Sequence, residues 1–295
     1  MSGKTVDTTD QDKEQYYKEL IETVRKEKLS DIYEVGPNDF QLLSTIRYDP
    51  GLSSKPPLTV EDITKKNFFL FKEHVERLIY SLGMMRSLYK DTHPLPKIDI
   101  SEAFIYERLI EGMTLGQVPV GESLKIRFLL GLDGNAKIEF YPTPSRLDLY
   151  DGYYQDVTSA TAIDESEIWD VYIDTQETAI SPFTSFKTTH RNVYNSARTR
   201  MLPGRRPGKE EVILKNTFKM ALEGSISNFA IKRESDGKWI TPRLKSGCLC
   251  GVMRNKLLSK RYIYADNIYW KELKIGQEVL LFNGIMGVVR GRIVG

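Results

Sequence analysis

The sequence predicts an α+β protein of two domains, a smaller N-terminal α/β lobe followed by a larger, strand-rich C-terminal lobe. Three observations carry this expectation. At 295 residues the chain is long for one hydrophobic core and comfortable for two. Its first half mixes helical and alternating apolar patterns, whereas the second half is dominated by short strand-like runs. Between them, Tyr141-Pro142-Thr143-Pro144-Ser145-Arg146 combines two prolines with a return of charge. The expected boundaries are 1–144, a linker at 145–152, and 153–295, with 1–10 disordered.

Taken in order, residues 12–28 place Tyr17, Leu20, Ile21 and Val24 at the spacing of an amphipathic helix. Residues 40–47 suit a strand, and 50–57 a loop rich in turn formers. The segment 69–89 predicts a second helix, with Phe71, Val75, Leu78, Ile79, Leu82 and Met85 in one stripe. No element is assigned between Tyr89 and Leu124. From Leu124 the pattern alternates, Ile126, Phe128 and Leu130 against Lys125, Arg127 and Leu129, and Asp133-Gly134 turns it into a hairpin with 137–141. In the second half, strands are expected at 168–174, 212–214, 219–222, 229–233 and 278–282, and helices at 189–199 and 251–260.

Composition narrows the function classes. A net charge of +2, with acids and bases interspersed, gives no reason to expect a nucleic acid or membrane partner. The pairs Arg205-Arg206 and Arg290/Arg292 suit a solvated face or a small anion. Cys248 and Cys250 are too close for an unstrained disulfide, and His74, His93 and His190 are too scattered for a metal site, so no metal is expected. Two free thiols suit a reducing compartment, and the absence of an apolar leader or a spanning run makes the cytoplasm the expected location.

Chemistry concentrates at three places. Lys187 follows the apolar, small-residue run Pro182-Phe183-Thr184-Ser185-Phe186 at the expected end of a strand, where lost hydration favours the neutral, nucleophilic amine. Glu223, flanked by Met220, Ala221 and Leu222, is a carboxylate at the edge of a core and needs a partner. Gly251 opens a helix whose first N–H groups suit an anion. Asn283-Gly284 and the hydroxyls of Ser225 and Ser227 offer further phosphate ligands, and Arg77 a countercharge. A lysine, a carboxylate and an anion cradle are the parts that hold pyridoxal phosphate.

These segments together resemble the class IV aminotransferases, the fold type IV pyridoxal-phosphate enzymes with the D-amino-acid aminotransferase-like fold. The resemblance rests on His74-Val75-Glu76-Arg77-Leu78, on Lys187, on Glu223-Gly224-Ser225-Ile226-Ser227-Asn228 and on Gly251-Val252-Met253-Arg254, in family order from about Phe69 onward. It implies that Lys187 is the Schiff-base lysine and Glu223 the partner of the pyridine nitrogen. It implies cofactor contacts from Arg77, Ser225, Ser227, Asn228, Val252, Met253, Asn283 and Gly284. The strings 40–50, Phe186-Lys187-Thr188-Thr189 and 283–288 make the chain most similar to the fungal branch that acts on 4-amino-4-deoxychorismate. That branch implies release of pyruvate and 4-aminobenzoate, a folate precursor, with substrate carboxylates met by Arg127, Arg47 and Thr45. The family's usual Asp-Arg-Gly opening is replaced here by an amphipathic helix and Gly36-Pro37-Asn38-Asp39. A transaminase of branched-chain or D-amino acids and a non-catalytic scaffold of the same fold remain alternatives, and homodimer and monomer are both open.

Overall fold

The computed structural model describes residues 10–27, 34–158 and 164–295. The expected disorder at 1–10 falls, except for Asp10, outside them. The chain forms two compact units. The first comprises Ile21–Asp148 and Phe186–His190; the second comprises Met1–Leu20, Leu149–Ser185 and Arg191–Gly295. The return of Phe186–His190 to the first unit is a crossing that a reading with one boundary does not anticipate.

Helix α1 (Asp10–Glu27) opens the described chain. In the first unit, β1 (Leu42–Tyr48), β2 (Leu124–Leu130) and β3 (Ala136–Pro142) form an antiparallel sheet in that order. Alternation works as expected on β2: Leu124, Ile126, Phe128 and Leu130 are all buried. Helix α2 (Phe71–Tyr89) packs on β1, and α3 (Glu102–Leu115) on β3. The α2 stripe differs from expectation at Ile79, which is 36% exposed, while His74 and Ser81 lie on the buried face. Helix α3 buries Ile105, Leu109 and Met113, and Ser101 caps it by accepting from the Phe104 N–H at 3.2 Å.

The free edge of β1 is taken by the segment after a short helical turn, Pro182–Ser185, which stands where an apolar strand end was expected. The Leu43 N–H donates to the Lys187 carbonyl and the Thr189 N–H to the Gln41 carbonyl, both at 2.9 Å. Leu42 and Thr188 thereby form an antiparallel bridge. Lys187 is thus placed by backbone pairing on both sides of it.

The second unit is built on an eight-stranded mixed sheet. Its strands are β4 (Trp169–Thr178), β5 (Glu210–Asn216), β6 (Ala221–Gly224), β7 (Asn228–Lys232), β8 (Trp239–Pro242), β9 (Tyr264–Asp266), β10 (Glu278–Asn283) and β11 (Gly287–Ile293), in the order β6-β5-β4-β11-β10-β7-β8-β9. Val171, Ile213, Phe229, Leu281 and Ile293 are among its core residues. Helix α4 (Asp151–Thr158) packs on β11, α5 (Asn192–Met201) on β4 and β5, and α6 (Val252–Ser259) on β10. Of the two C-terminal arginines, Arg290 is buried rather than solvated and donates from Nε to the Gly152 carbonyl at 2.6 Å, whereas Arg292 lies at the surface and pairs with Glu165 at 2.8 Å. Arg206 likewise pairs with Asp170 at 3.1 Å. Among the described residues no helix is long and apolar enough to cross a membrane.

The turn into β11 depends on a missing side chain. Gly287 has φ +68°, and a Cβ there would lie 2.1 Å from the Leu149 carbonyl oxygen, a backbone atom that cannot swing away. Gly287→Ala is therefore expected to lower stability by at least about 2 kcal/mol, combining left-handed strain with a steric clash. Urea unfolding of the variant against the parent measures it.

Candidate functional site

The site in the second unit starts from a buried acid. Glu211 on β5 is 0% exposed, so its charge must be satisfied internally. It accepts from the backbone N–H groups of Val212 and Ser225 at 2.9 Å and of Ile226 at 3.1 Å. The Ser225 hydroxyl donates to it, as does the Ser227 hydroxyl at 2.7 Å. Arg198 lies 3.6 Å away and donates to Ser225 Oγ at 2.8 Å. Arg191 adds a bond to the Ser225 carbonyl. The protons of Ser225 and Ser227, expected to face a phosphate, thus serve the loop that carries them.

That loop aims Glu223. Its Oε1 accepts from the Tyr194 hydroxyl of α5 at 2.6 Å. Its Oε2 accepts from Asn228 Nδ2 and from the Leu249 N–H, both at 3.1 Å. Each bond to a charged acceptor contributes roughly 1.5–3 kcal/mol. Burial, and then the charge of Glu223, push the Tyr194 phenol well above its ordinary range, so it stays a donor.

Asn228 connects the carboxylate to the start of α6. The same Nδ2 donates to the Leu249 carbonyl at 3.0 Å, and its Oδ1 lies 1.9 Å from where a Cβ on Gly251 would stand. Only glycine fits there. Gly251 is the N-cap of α6, which presents the Val252 and Met253 amides in its first turn. Asn283 holds the turn between β10 and β11: its Oδ1 accepts from Ile285 and Met286, and its Nδ2 donates to the Ile226 carbonyl at 3.1 Å. Gly284 is buried in that turn.

In the first unit, Lys187 is half-buried. His74 on α2 is buried and bonds through Nδ1 to the Ser44 hydroxyl at 2.7 Å. Arg77, one turn further, donates from Nη2 to the same hydroxyl at 3.4 Å. Thr45 stands in register with Arg127, and Arg127 with Glu139. Arg127 is paired with Glu139 at 2.7 Å and is one-third exposed (33%). Arg47 is 2% exposed, pairs with Asp49 at 3.2 Å and donates to the Pro144 carbonyl.

These donor sets fit the cofactor that the resemblance implies. The second unit offers a firmly oriented carboxylate, suited to a protonated ring nitrogen, and helix-start amides, suited to a phosphate. The first unit offers an amine and a guanidinium. Tyr194, Glu211, Ser44 and Arg198 are supporting residues that the sequence reading did not single out. Of these only Ser44 left a signal, as a polar residue on a strand face otherwise made of Leu42, Ile46 and Tyr48. Among the described residues no group of three or more His, Cys, Asp or Glu is placed to hold a metal ion.

His74 also sets a pH dependence. Burial, followed by the charges of Arg77 and Lys187, holds its imidazole well below the ordinary value of 6.5. The folded protein keeps it neutral while the unfolded chain takes up a proton below about 6.5. This contribution is therefore complete above that pH and is lost as pH falls toward the folded value, by up to about 1.4 kcal/mol per unit. His74→Asn, which keeps an acceptor near Nδ1, is expected to flatten that acid limb in urea melts taken between about pH 4.5 and 7.5.

Comparison with known proteins bears on the family and the fold. The family profile described as amino-transferase class IV matches residues 59–294. The chain is 37% identical over 191 residues to the aminodeoxychorismate lyase of Saccharomyces cerevisiae, covering 57% of this chain and 51% of that protein. It spans about half the length of the curated relatives it matches. An amino-acid aminotransferase structure from Mesorhizobium loti, itself assigned only provisionally, shares the fold with a TM-score of 0.63 at 23% identity, covering 87% of this chain and 100% of that one. An aminotransferase from Mycobacterium tuberculosis, solved with α-ketoglutarate and PMP, does so with a TM-score of 0.56 at 17% identity, covering 86% and 81%. The α+β architecture is the one expected, and by the match over residues 59–294 the chain belongs to the amino-transferase class IV family.

Proposed function

We propose that this protein is a pyridoxal-phosphate-dependent lyase that converts 4-amino-4-deoxychorismate to 4-aminobenzoate and pyruvate, a step in folate precursor synthesis. The observation that carries the choice of reaction is the 37% identity to a lyase of that name. The fold itself is shared with aminotransferases and does not discriminate. The two buried, free cysteines support a reducing compartment, for which we propose the cytoplasm.

Once bound, the cofactor supplies an electron sink for a carbanion next to nitrogen. The protein's own residues supply the rest. Lys187 would hold the cofactor through its amine, and that amine would take the proton from the substrate ring carbon that bears nitrogen. Glu223, immobilised by Tyr194, Asn228 and the Leu249 amide, would keep a proton on the pyridine nitrogen. Arg77 in the first unit, and the Val252 and Met253 amides in the second, are the groups that would suit the cofactor's phosphate. Breaking the bond to the enolpyruvyl oxygen leaves an aromatic ring, so the elimination is strongly downhill. Of the candidate substrate arginines, Arg127 is the better placed to meet a carboxylate, because Arg47 is buried against Asp49.

The decisive assay is incubation with 4-amino-4-deoxychorismate: equal amounts of pyruvate and 4-aminobenzoate support the reading, and amino transfer to a keto acid with neither product rejects it. Lys187→Ala is expected to abolish the borohydride-reducible cofactor adduct and to lower turnover by several orders of magnitude; mapping the adduct to another lysine would overturn the assignment. Glu223→Gln keeps the volume and removes the charge. Cofactor should still bind with a shifted absorption spectrum, and turnover should fall by ~10²-fold, the loss of one charge-assisted contact. Turnover close to that of the parent would take Glu223 out of the mechanism.

A further inference from the structure

We propose that Ser44 is a positioning residue: its hydroxyl, itself oriented by His74, fixes the direction in which Arg77 presents its guanidinium to a phosphate monoester. The proposal rests on the preceding reading at one point, that Arg77 binds the cofactor phosphate.

A serine hydroxyl has one proton to donate and lone pairs to accept with. Arg77 can only donate, so the contact between its Nη2 and Ser44 Oγ at 3.4 Å uses a lone pair of the hydroxyl. The same hydroxyl is held by His74 Nδ1, at 2.7 Å. Whether Nδ1 accepts from the hydroxyl or donates to it, the hydroxyl keeps a lone pair for Arg77. The burial of His74 and the nearby charges of Arg77 and Lys187 keep the ring neutral, so one of its two nitrogens carries no proton.

The scaffold makes this orientation permanent. Ser44 sits in the middle of β1, paired to Phe128 of β2, on the strand face that α2 covers. His74 and Arg77 are three residues apart on α2, so they lie on one face of that helix. A long, flexible arginine held at one nitrogen by a buried, rigid hydroxyl has fewer orientations to lose when an anion arrives.

The test separates phosphate recognition from the other contacts to the cofactor. The full-length protein, freed of cofactor, is titrated with pyridoxal phosphate and with pyridoxal, which lacks the phosphate. The ratio of the two dissociation constants reports the phosphate contacts alone. Ser44→Ala is expected to lower that ratio by about 10-fold, the size of one charge-assisted hydrogen bond, with pyridoxal affinity unchanged. Arg77→Ala should collapse the ratio, and adding Ser44→Ala to it should change nothing further. Ser44→Cys keeps nearly the same volume but is a weak acceptor, so it must show the same loss even where the alanine variant folds poorly. Equal weakening of both ligands by either Ser44 variant, or an unchanged ratio, would overturn the proposal while leaving Arg77 in place. An unchanged ratio in Arg77→Ala would instead remove Arg77 from the phosphate site, and the proposal with it.

Discussion

The interaction on which the second unit's site depends is the internal satisfaction of Glu211. A carboxylate with no solvent exposure costs several kcal/mol unless it is fully bonded. Here the loop from Ser225 to Ser227 wraps around it, donating two hydroxyls and two backbone amides. With that loop fixed, Glu223 before it and Asn228 after it have no freedom of position. Asn228 then bridges to Leu249 and leaves room only for glycine at position 251, which fixes the first turn of α6. One buried charge thus sets the positions of a carboxylate and an anion cradle.

The motif Glu223 to Asn228 gains a different meaning from this geometry. The serines hold the loop on Glu211, and the asparagine holds the glutamate and the neighbouring segment. Conversely, three of the groups that orient Glu223 or its loop (Tyr194, Arg191 and Arg198) come from α5 and its N-cap, outside the motif altogether.

The first unit follows the same logic with smaller groups. Arg47 and Asp49 pair inside it, and Asp49 also accepts from the Gly51 amide at 3.1 Å and from Ser145 at 3.1 Å. Buried ion pairs of this kind contribute little net stability but are costly to break one-sidedly. Arg47 therefore acts as a strut between the end of β1 and Pro144, whereas Arg127, on a strand face with Thr45 and Glu139, retains contact with solvent.

The sequence by itself determined the elements with a strong period and the residue types of the site. Helix α2 and strand β2 were legible because apolar side chains recur there at 3.6 and 2 residues. Lys187, Glu223, Arg77 and Gly251 stood out by type and order. Helix α3 was passed over because its buried stripe is a bare Ile105, Leu109 and Met113, and β11 because Gly291 and two arginines interrupt its apolar pattern. What only the tertiary structure decided is which polar groups meet inside. Tyr194 reaches Glu223 across 29 positions, and Ser225 reaches Glu211 across 14. Ser44 reaches His74 across 30. Such pairings are set by strand register and helix docking rather than by local spacing, so the one-dimensional pattern names the donors and acceptors without saying which will bond.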